Sequence, residues 1–536
     1  SNAGVSKNKF SDYNVDSRGV VLNNSLERGI SNLGGVHYGN PNFDGSAASI
    51  VLFEVTGGGQ SQIQGYTEMF GQSADFILAN PSGIYINGGG FINTPRATFT
   101  TGLPFYDQAG NINHFDVNQG MITVGSAGFN ASNLDYFDIV CRSVVVNGEL
   151  WGGDDFSVQV GRNRFDYGLR SVTVLAADGS TKPEYGIDAA LLGSMYANKI
   201  RLVSTEDGVG VNTRGQVEAM AGNLEITTAG DVVYKDIQAQ VNIDVEAEGD
   251  AFQTDRAVAN GDISIDAGGD ILIEGDEIYA GSDIGLVAGG DITIKQAEKD
   301  DENIFMEASD INVNANGDIN IENTNVQSNE SLNLNAQQKI KQTNADTKGQ
   351  RISYEADDIE INSGEVASVT DIVFVAGDSV LNKGDIRANN SITLESVNNI
   401  ENQGLIKGNN NINISAVNGD IKNKFGEINA GNNIVFEAGN AWVNENGEIV
   451  SAEDVDIDSV SVVNAGDLDV GGELVVNTDS FQNTGEIVVD NKIDINVGGS
   501  GFVNEDSIKS NVDFDINVQG DFENKGNIEA YTSGVL

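Results

Sequence analysis

Cysteine is nearly absent from this 536-residue chain, which has a single one, Cys141. No intramolecular disulfide can form, and we expect a lone thiol in such a chain to be buried and inert. So few cysteines do not exclude secretion, because a long repetitive core can stabilise a protein without disulfides. Their absence also leaves the chain free to be threaded unfolded.

Basic residues are scarce as well: 29 Lys and Arg stand against 80 Asp and Glu, which gives a formal net charge of −51. Such a charge repels phosphate backbones and anionic membranes, so nucleic-acid binding is a poor interpretation. Disorder is not indicated, since 39% of the residues are hydrophobic and the aliphatic ones recur at alternating positions.

No run of the sequence approaches the 18 or more apolar residues of a membrane span, and no basic segment followed by an apolar one opens the chain. The opening Ser1-Asn2-Ala3 is typical of a cloning scar. We therefore expect residues 1–3 to stand in place of a native signal peptide that has been removed.

Proline is confined to the first part of the chain. All five prolines and both histidines, His37 and His114, precede residue 184, and no proline follows. This step in composition predicts an irregular N-terminal region with specialised loops, followed by a monotonous region that begins between about 185 and 250.

The monotonous region repeats with a period of about 20 residues. Between the repeated asparagines lie tracts such as "NINISA" and "KIDINV", whose aliphatic residues alternate and so predict strands. Upstream, "GDISID" and "GDITIK" belong to the same unit. The asparagines that align, 19 to 21 residues apart, are Asn382, Asn402, Asn423, Asn444, Asn464, Asn483, Asn504 and Asn524.

This period predicts an all-β parallel β-helix, a single-stranded solenoid that we expect to be right-handed. In the irregular N-terminal region we expect a cap and small extra-helical β-hairpins. A leucine-rich repeat has a similar period, but its LxxLxLxxN pattern is absent. One coil cannot hold itself, because ordering it costs more than its few inward aliphatic residues return, so the coils must stack.

The aligned asparagines are expected to form a ladder of hydrogen bonds at one turn of the coil, rather than a ligand site. The same interpretation applies to the GD turns. Their carboxylates lack the spacing of a dedicated calcium loop. We expect no metal site and no cofactor.

The stretch "ILANPSGIYINGGGFINTPRATFTTG", residues 77–102, concentrates two prolines among glycines. Asn80-Pro81-Ser82-Gly83 predicts a tight turn, in which Pro81 fixes one φ angle and Gly83 is free to take a positive one. The tract "FINTPRATFTTG" then resumes alternation and predicts a strand.

A longer segment, from "NPNFDGSAAS" to "RATFTTGLPF", resembles the haemagglutination-activity domain of two-partner secretion (TPS) exoproteins. The family's NPNL and NPNGI motifs correspond here to Asn40-Pro41-Asn42-Phe43 and Asn80-Pro81-Ser82-Gly83-Ile84, each with one difference. Further similarity lies in residues 132–152 and 191–219. The resemblance covers roughly residues 10–245, and the downstream repeats resemble a filamentous haemagglutinin shaft.

This resemblance implies a domain for secretion at residues 4–245 and a repetitive β-helix shaft at 246–536. It implies export across the periplasm through an outer-membrane β-barrel transporter whose periplasmic domains recognise the N-terminal region. Folding one coil at a time would drive such export, because each coil templates the next. The motif residues either contact the transporter or only stabilise turns; these are Asn40, Pro41, Asn42, Phe43, Asn80, Pro81, Ser82, Gly83 and Ile84.

Parallel β-helices also include polysaccharide-active enzymes, so "GRNRFDYGLR" is the rival candidate site. There Arg162, Arg164 and Arg170 lie near Asp155, and Asp166 and His114 could approach them. We instead expect an extra-helical hairpin over roughly 161–187, with His37 packed in the cap, and no enzyme.

Two classes of exoprotein fit the resemblance. A contact-dependent growth inhibition toxin would use the shaft to hold a C-terminal effector, whereas a filamentous haemagglutinin-like adhesin would present a surface to a target-cell receptor or glycan. Both would be secreted or displayed on the bacterial surface. The sequence stops within a repeat, so we expect the uncovered coil to promote self-association.

Overall fold

The computed structural model describes residues 4–43, 45–296 and 305–531. Within these residues every regular element is a β-strand. The predicted all-β parallel β-helix is confirmed, and the expected cloning scar lies outside the described residues. The chain divides into two compact units, Ser1–Ser282 and Asp283–Leu536. The boundary expected between 245 and 246 stays a prediction.

The first unit winds its strands into parallel coils that stack in register. Leu224 pairs with Ile243, which pairs in turn with Ile263, so that aliphatic residues stack inside the coils. The coil strands are Val5–Phe10, Ile50–Val55, Ser61–Ile63, Asp75–Ala79, Ile84–Ile86, Arg96–Thr100, Met121–Val124, Phe129–Asn130, Tyr136–Cys141, Ser143–Val146, Leu150–Trp151, Asp155–Val160, Tyr185–Ala189, Met195–Ala197, Lys199–Ser204, Gly210–Ala219, Leu224–Thr228, Val232–Ala239, Ile243–Ala247, Ala251–Ala259, Ile263–Ala267, Ile271–Glu274 and Glu277–Ala280.

A four-stranded antiparallel sheet covers one face of these coils. Its strands, in spatial order, are Leu103–Tyr106, Ile112–Val117, Asn163–Asp166 and Ser171–Val174. Phe115 and Phe165 from this sheet pack with Leu52 and Ile77 from the coils in a second hydrophobic core. The hairpin expected over 161–187 is therefore shorter than predicted, and it belongs to a larger sheet.

The coil strands beneath this sheet are buried on both faces. The strand predicted for "FINTPRATFTTG" is present as Arg96–Thr100, but residues 97–100 are all buried, so the predicted alternation of buried and exposed side chains is wrong. Outward side chains such as Thr98, Asp138 and Gln159 are buried, whereas Tyr136 remains 44% exposed.

The N-terminal cap consists of two small sheets. Strand Thr67–Gly71 lies between Val20–Asn24 and Phe91–Ile92 in a three-stranded sheet. A two-stranded antiparallel hairpin, Gly29–Ser31 and Gly35–His37, lies close to Thr67–Gly71. His37 packs against Phe70, with 5.3 Å between ring centroids.

The second unit repeats the same coil with few irregularities. Its strands are Asp283–Ala288, Ile292–Lys295, Met306–Ala308, Asp310–Ala315, Ile319–Glu322, Asn325–Ser328, Ser331–Ala336, Lys339–Thr343, Ala345–Gly349, Arg351–Ile361, Gly364–Ser368, Ile372–Asn382, Asp385–Ala388, Ile392–Ser396, Ile400–Asn402, Leu405–Gly408, Ile412–Ala416, Ile421–Lys424, Glu427–Ala430, Ile434–Ser451, Val455–Val470, Leu474–Asn483, Glu486–Val489, Lys492–Asn504, Ser507–Ser510, Asp513–Val518, Asp521–Asn524 and Asn527–Ala530.

The asparagine ladder predicted for this unit is confirmed. From Asn382 to Asn504, each side-chain amide donates to the Oδ1 of the next asparagine over 2.7–3.0 Å. Several amides also donate to a backbone carbonyl of their own turn, as Asn464 does to Gly466 at 3.0 Å. The ladder thus satisfies buried polar groups in seven successive steps without any ligand.

The GD turns of the first unit use their carboxylates in a similar way. Oδ1 of Asp231 accepts a hydrogen bond from the backbone N–H of Asp250, one coil later, at 2.9 Å. Asp250 does the same for the N–H of Asp270 at 2.8 Å. These carboxylates link one coil to the next.

Candidate functional site

The second turn motif, residues 80–84, forms a corner inside the coil. The Asn80 side chain is fully buried. Its Oδ1 accepts from the N–H of Ser82 at 2.9 Å, and its backbone carbonyl accepts from the N–H of Gly83 at 3.0 Å. Its Nδ2 donates to the Gly59 carbonyl and to Ser61 Oγ, both at 3.0 Å. One side chain therefore closes its own turn and ties it to the preceding coil.

Gly83 and Ile84 complete this corner, with Pro81 half-buried beside them. The φ angle of Gly83 is +105°, and a Cβ there would lie 2.7 Å from the Met121 carbonyl oxygen. Ile84 is fully buried and pairs with Ile122 of the next coil. A side chain at position 83 would meet both backbone strain and a close contact.

The first motif, residues 40–43, makes the same turn at the surface. Oδ1 of Asn40 accepts from the N–H of Asn42 at 3.0 Å, and the Asn40 carbonyl accepts from the N–H of Phe43 at 3.3 Å. Pro41 and Asn42 are exposed, whereas Asn40 and Phe43 are half-buried. The two motifs thus share a hydrogen-bond pattern and differ in burial.

An exposed apolar surface lies next to the first motif, which we call the cap surface. Ile30 and Val36 face each other across the hairpin and are 79% and 54% exposed. Such grouping is unusual for a surface in contact with water. The cap surface consists of the exposed side chains of Leu26, Ile30, Leu33, Val36 and Tyr38.

A buried carboxylate holds the hairpin that carries this surface. Glu68, only 3% exposed, accepts from the backbone N–H groups of Asn32 and Leu33 at 2.6 and 2.7 Å. Both N–H groups belong to the hairpin turn. Charge-assisted hydrogen bonds of this kind fix the turn to the sheet beneath it, so the apolar side chains stand on a rigid support.

Asn40 of the first motif also holds together the two chain segments that flank the hairpin. Nδ2 of Asn40 donates to the Asn23 carbonyl at 2.9 Å, and Nδ2 of Asn23 donates to the Tyr38 carbonyl at 2.9 Å. The backbone N–H of Asn40 donates to the Ser25 carbonyl at 2.7 Å. Asn40 therefore links the strand that precedes the hairpin to the segment that follows it.

The arginines of "GRNRFDYGLR" do not converge on one cleft. Arg162 pairs with Asp178 at 2.6 Å, and Arg164 pairs with Asp116 at 2.8 Å. Arg170 reaches the buried Asp138 at 2.8 Å and Asp155 at 3.0 Å. The three guanidinium groups of this segment therefore pair with different carboxylates, and no two of them share one.

The remaining polar residues near that segment have structural contacts. His114 stacks on Phe105, with 4.7 Å between ring centroids, and its Nε2 lies 3.6 Å from Asp116. Oδ1 of Asp166 accepts from the N–H of Leu169 at 2.7 Å within the hairpin turn. These contacts fix the extra-helical sheet.

Cys141 is fully buried, and burial raises the pKa of its thiol to about 12. The thiolate is therefore not formed at neutral pH, and the thiol is inert. Among the described residues no group of three or more His, Cys, Asp or Glu side chains could hold a metal ion. Over the same ranges, no helix has the length and apolarity needed to cross a bilayer.

Sequence reasoning identified both turn motifs but missed the cap surface and Glu68. Ile30 and Val36 flank "SNLGG", a plausible hairpin turn, so the hairpin itself had a local signal. The exposure of its apolar side chains had none, because burial depends on what packs against the hairpin.

Comparison with known proteins identifies a family that the N-terminal part of the chain matches. A family model described as the TPS secretion domain matches residues 1–234. A crystal structure of a filamentous hemagglutinin secretion domain is 32% identical, covering 55% of this chain and 91% of that one, with a TM-score of 0.42.

Three curated relatives are 40–42% identical to this chain over the aligned residues. The 16S rRNA endonuclease CdiA of Enterobacter cloacae is 42% identical over 265 residues, 49% of this chain and 8% of that protein. The tRNA nuclease CdiA-2 of Burkholderia pseudomallei is 40% identical over 232 residues, 43% of this chain and 7% of that protein. Toxin CdiA of Yersinia pestis is 40% identical over 235 residues, 44% of this chain and 7% of that protein. The match thus spans less than a tenth of each of these three relatives.

Proposed function

Because residues 1–234 belong to the TPS secretion domain family, we propose that the chain is the secretion domain and shaft of a larger exoprotein. It crosses the periplasm, leaves through an outer-membrane β-barrel transporter and is secreted or displayed on the bacterial surface. The family match is the observation that carries this proposal. The stacked coils support it, since they can form one after another as the chain emerges.

The exoprotein is proposed to be a contact-dependent growth inhibition toxin. Support comes from the relatives above, which are named toxins or nucleases. Their similarity covers only a small part of each, so a nuclease activity is not assigned to these residues. The chain itself acts as a scaffold and not as an enzyme.

The cap surface is proposed to contact the transporter's periplasmic domains. The whole chain has a net charge of −51, but its first 40 residues contain four Lys and Arg against three Asp and Glu. This end therefore lacks the strong negative charge that would repel an acidic partner. Arg28 lies over the ring of Tyr38, with 5.5 Å between its guanidinium carbon and the ring centroid, and adds a cation beside the apolar side chains.

The two turn motifs are assigned different roles in this proposal. Asn40 is a positioning residue, which acts on the transporter through the hairpin segments that it fixes. Pro41 and Asn42 are exposed beside it and can also be contacted. Asn80, Gly83 and Ile84 are buried in the folded coil, so we assign them a role in its folding and not in contact with the transporter.

Export from bacteria that produce the chain tests the proposal. Given a signal peptide that directs it to the periplasm and co-produced with an outer-membrane transporter of the two-partner secretion type, the chain should appear in the medium or on the cell surface. Without the transporter it should stay in the periplasm. Equal release in both strains would contradict the assignment.

The toxin is tested with the full-length parent protein in co-culture. Loss of viable target bacteria that depends on cell contact supports a toxin. Attachment to target cells without loss of viability supports the alternative, a filamentous haemagglutinin-like adhesin that binds a receptor or glycan. Turnover of a polysaccharide that is lost in Arg164→Ala would instead establish the enzyme.

A further inference from the structure

A notch at one corner of the second unit results from corners of unequal length. Between paired strands, the corner has two residues, 439 and 440, in one coil and only Val460 in the next. It has Asp479 alone in the third coil and three residues, 498–500, in the fourth. Two short corners therefore lie between two longer ones, which form raised lips on either side.

The notch has a volume of about 810 Å³ and spans these coils. At its floor the buried Thr478 hydroxyl lies within hydrogen-bond distance of two carbonyl oxygens, those of Ser480 at 2.9 Å and Val460 at 3.1 Å, and can donate its one proton to either. Gly498 opens one lip: a Cβ there would lie 3.3 Å from Oδ1 of Asp479. The volume is within the range of small-molecule sites.

One wall is a column of outward polar side chains. Asp458, Asn477 and Asn496 occupy paired positions in successive coils. Nδ2 of Asn496 donates to Oδ1 of Asn477 at 3.3 Å. Unlike the buried ladder, this column faces solvent. Coil spacing sets its donors and acceptors about 4.8 Å apart.

The lining selects against several classes of ligand. No Lys or Arg lines the notch, so an anion would find no cation there. An extended peptide cannot add as a strand, because Ser461, Ser480 and Gly501 are already paired in the sheet. In the described part of the chain, neither Asp458 nor Asp479 has an ion-pair partner, and their two carboxylates are too few for a cation cage.

We propose that this notch binds a neutral oligosaccharide. The carboxylates of Asp458 and Asp479 would accept hydrogen bonds from sugar hydroxyls, and the amides of Asn477 and Asn496 would both donate and accept. Val460, half exposed at the floor, would contact the apolar C–H face of a ring. This proposal is independent of how the chain is exported.

Binding of the purified full chain to an array of neutral, sulfated and sialylated tri- and tetrasaccharides tests it, followed by titration calorimetry of each hit. The expected result is binding that falls roughly tenfold to hundredfold in Asn477→Ala/Asp479→Ala, since two hydrogen bonds are lost. Asn409→Ala is the matched control: it removes an exposed amide that bonds Asn389, outside the notch lining.

A second variant deletes Gly498 and Gly499, which lowers one lip without removing a polar side chain. This deletion should weaken saccharide binding. The Asn477→Ala/Asp479→Ala and Asn409→Ala variants should keep the thermal unfolding midpoint of the wild-type chain. The proposal is overturned if no neutral saccharide binds, if sulfated or sialylated saccharides bind instead, or if binding survives the Asn477/Asp479 double variant.

Discussion

Nε of Arg96 donates a hydrogen bond to Oδ2 of Asp138 at 3.0 Å, and Asp138 is completely buried. Arg170 reaches the other carboxylate oxygen of Asp138 at 2.8 Å from the turn of the extra-helical hairpin. Arg96 also donates to the Tyr167 carbonyl at 2.9 Å. This buried charge network attaches the four-stranded sheet to the coils.

Replacing Asp138 by Ala should release that sheet. Arg96 and Arg170 would lose the carboxylate that they share. Removing one partner of a buried ion pair lowers the free energy of unfolding by about 3–5 kcal/mol. Hydrogen exchange in residues 103–117 and 163–174 should accelerate strongly. The control is Asp116→Ala, which breaks a pair with the half-exposed Arg164 and should cost no more than about 1 kcal/mol. Equal effects of the two substitutions would contradict the role given to Asp138.

The two motif asparagines should differ in their effect on stability. Asn80→Ala removes three side-chain hydrogen bonds from a buried site and should cost about 2–3 kcal/mol. Asn40→Ala, at a half-exposed turn, should cost about 1 kcal/mol. Urea unfolding measures the stability of both variants. Hydrogen exchange at residues 75–86 is the local probe for Asn80→Ala. A larger loss in Asn40→Ala would reverse the roles proposed for the motifs.

Substituting an asparagine in the middle of the ladder should lower the stability of the second unit. Asn444→Ala removes the acceptor for Asn423 and the donor to Asn464, so we expect a loss of about 1–3 kcal/mol. Gly447→Ala should destabilise the same coils, because its Cβ would lie 2.2 Å from Nδ2 of Asn423. Faster hydrogen exchange at residues 421–470 reports both effects, and Asn409→Ala should leave it unchanged.

Cys141 should report unfolding of the first unit. The thiol is buried and its pKa is raised to about 12, so a thiol reagent at pH 8 should not modify the native protein. In urea the single cysteine should react fully. Rapid modification without denaturant would show that the coil around residue 141 opens.

The regular part of the fold was predictable because its signals are local. The spacing of Asn382, Asn402 and Asn423 fixed the coil length and the ladder, and alternation fixed the strands. Each coil contacts mainly its neighbours, so a pattern in one period predicts the whole stack.

The irregular part was not predictable because its contacts are distant in sequence. Strands Ile112–Val117 and Asn163–Asp166 pair across a long separation, and neither shows where its partner lies. One partial signal was available: "YFDIVC" is apolar at every position except Asp138, which is typical of a strand buried on both faces, whereas "DFSVQV" alternates between polar and apolar residues and indicates only one buried face. The burial of the polar side chains Ser157 and Gln159 had no local signal, because it depends on the sheet that packs over them.

Transporter-dependent export of cap-surface variants is the most direct test of the secretion mechanism. Ile30→Asp and Val36→Asp place charge at exposed positions, so they should change stability by no more than about 0.5 kcal/mol. Val417→Asp, at a site 65% exposed in the second unit, is the matched control. We predict that export of the two cap variants falls to less than about a tenth of the wild-type level, while their unfolding midpoints and the export of Val417→Asp are unchanged. Wild-type export of Ile30→Asp and Val36→Asp would contradict recognition through the cap surface.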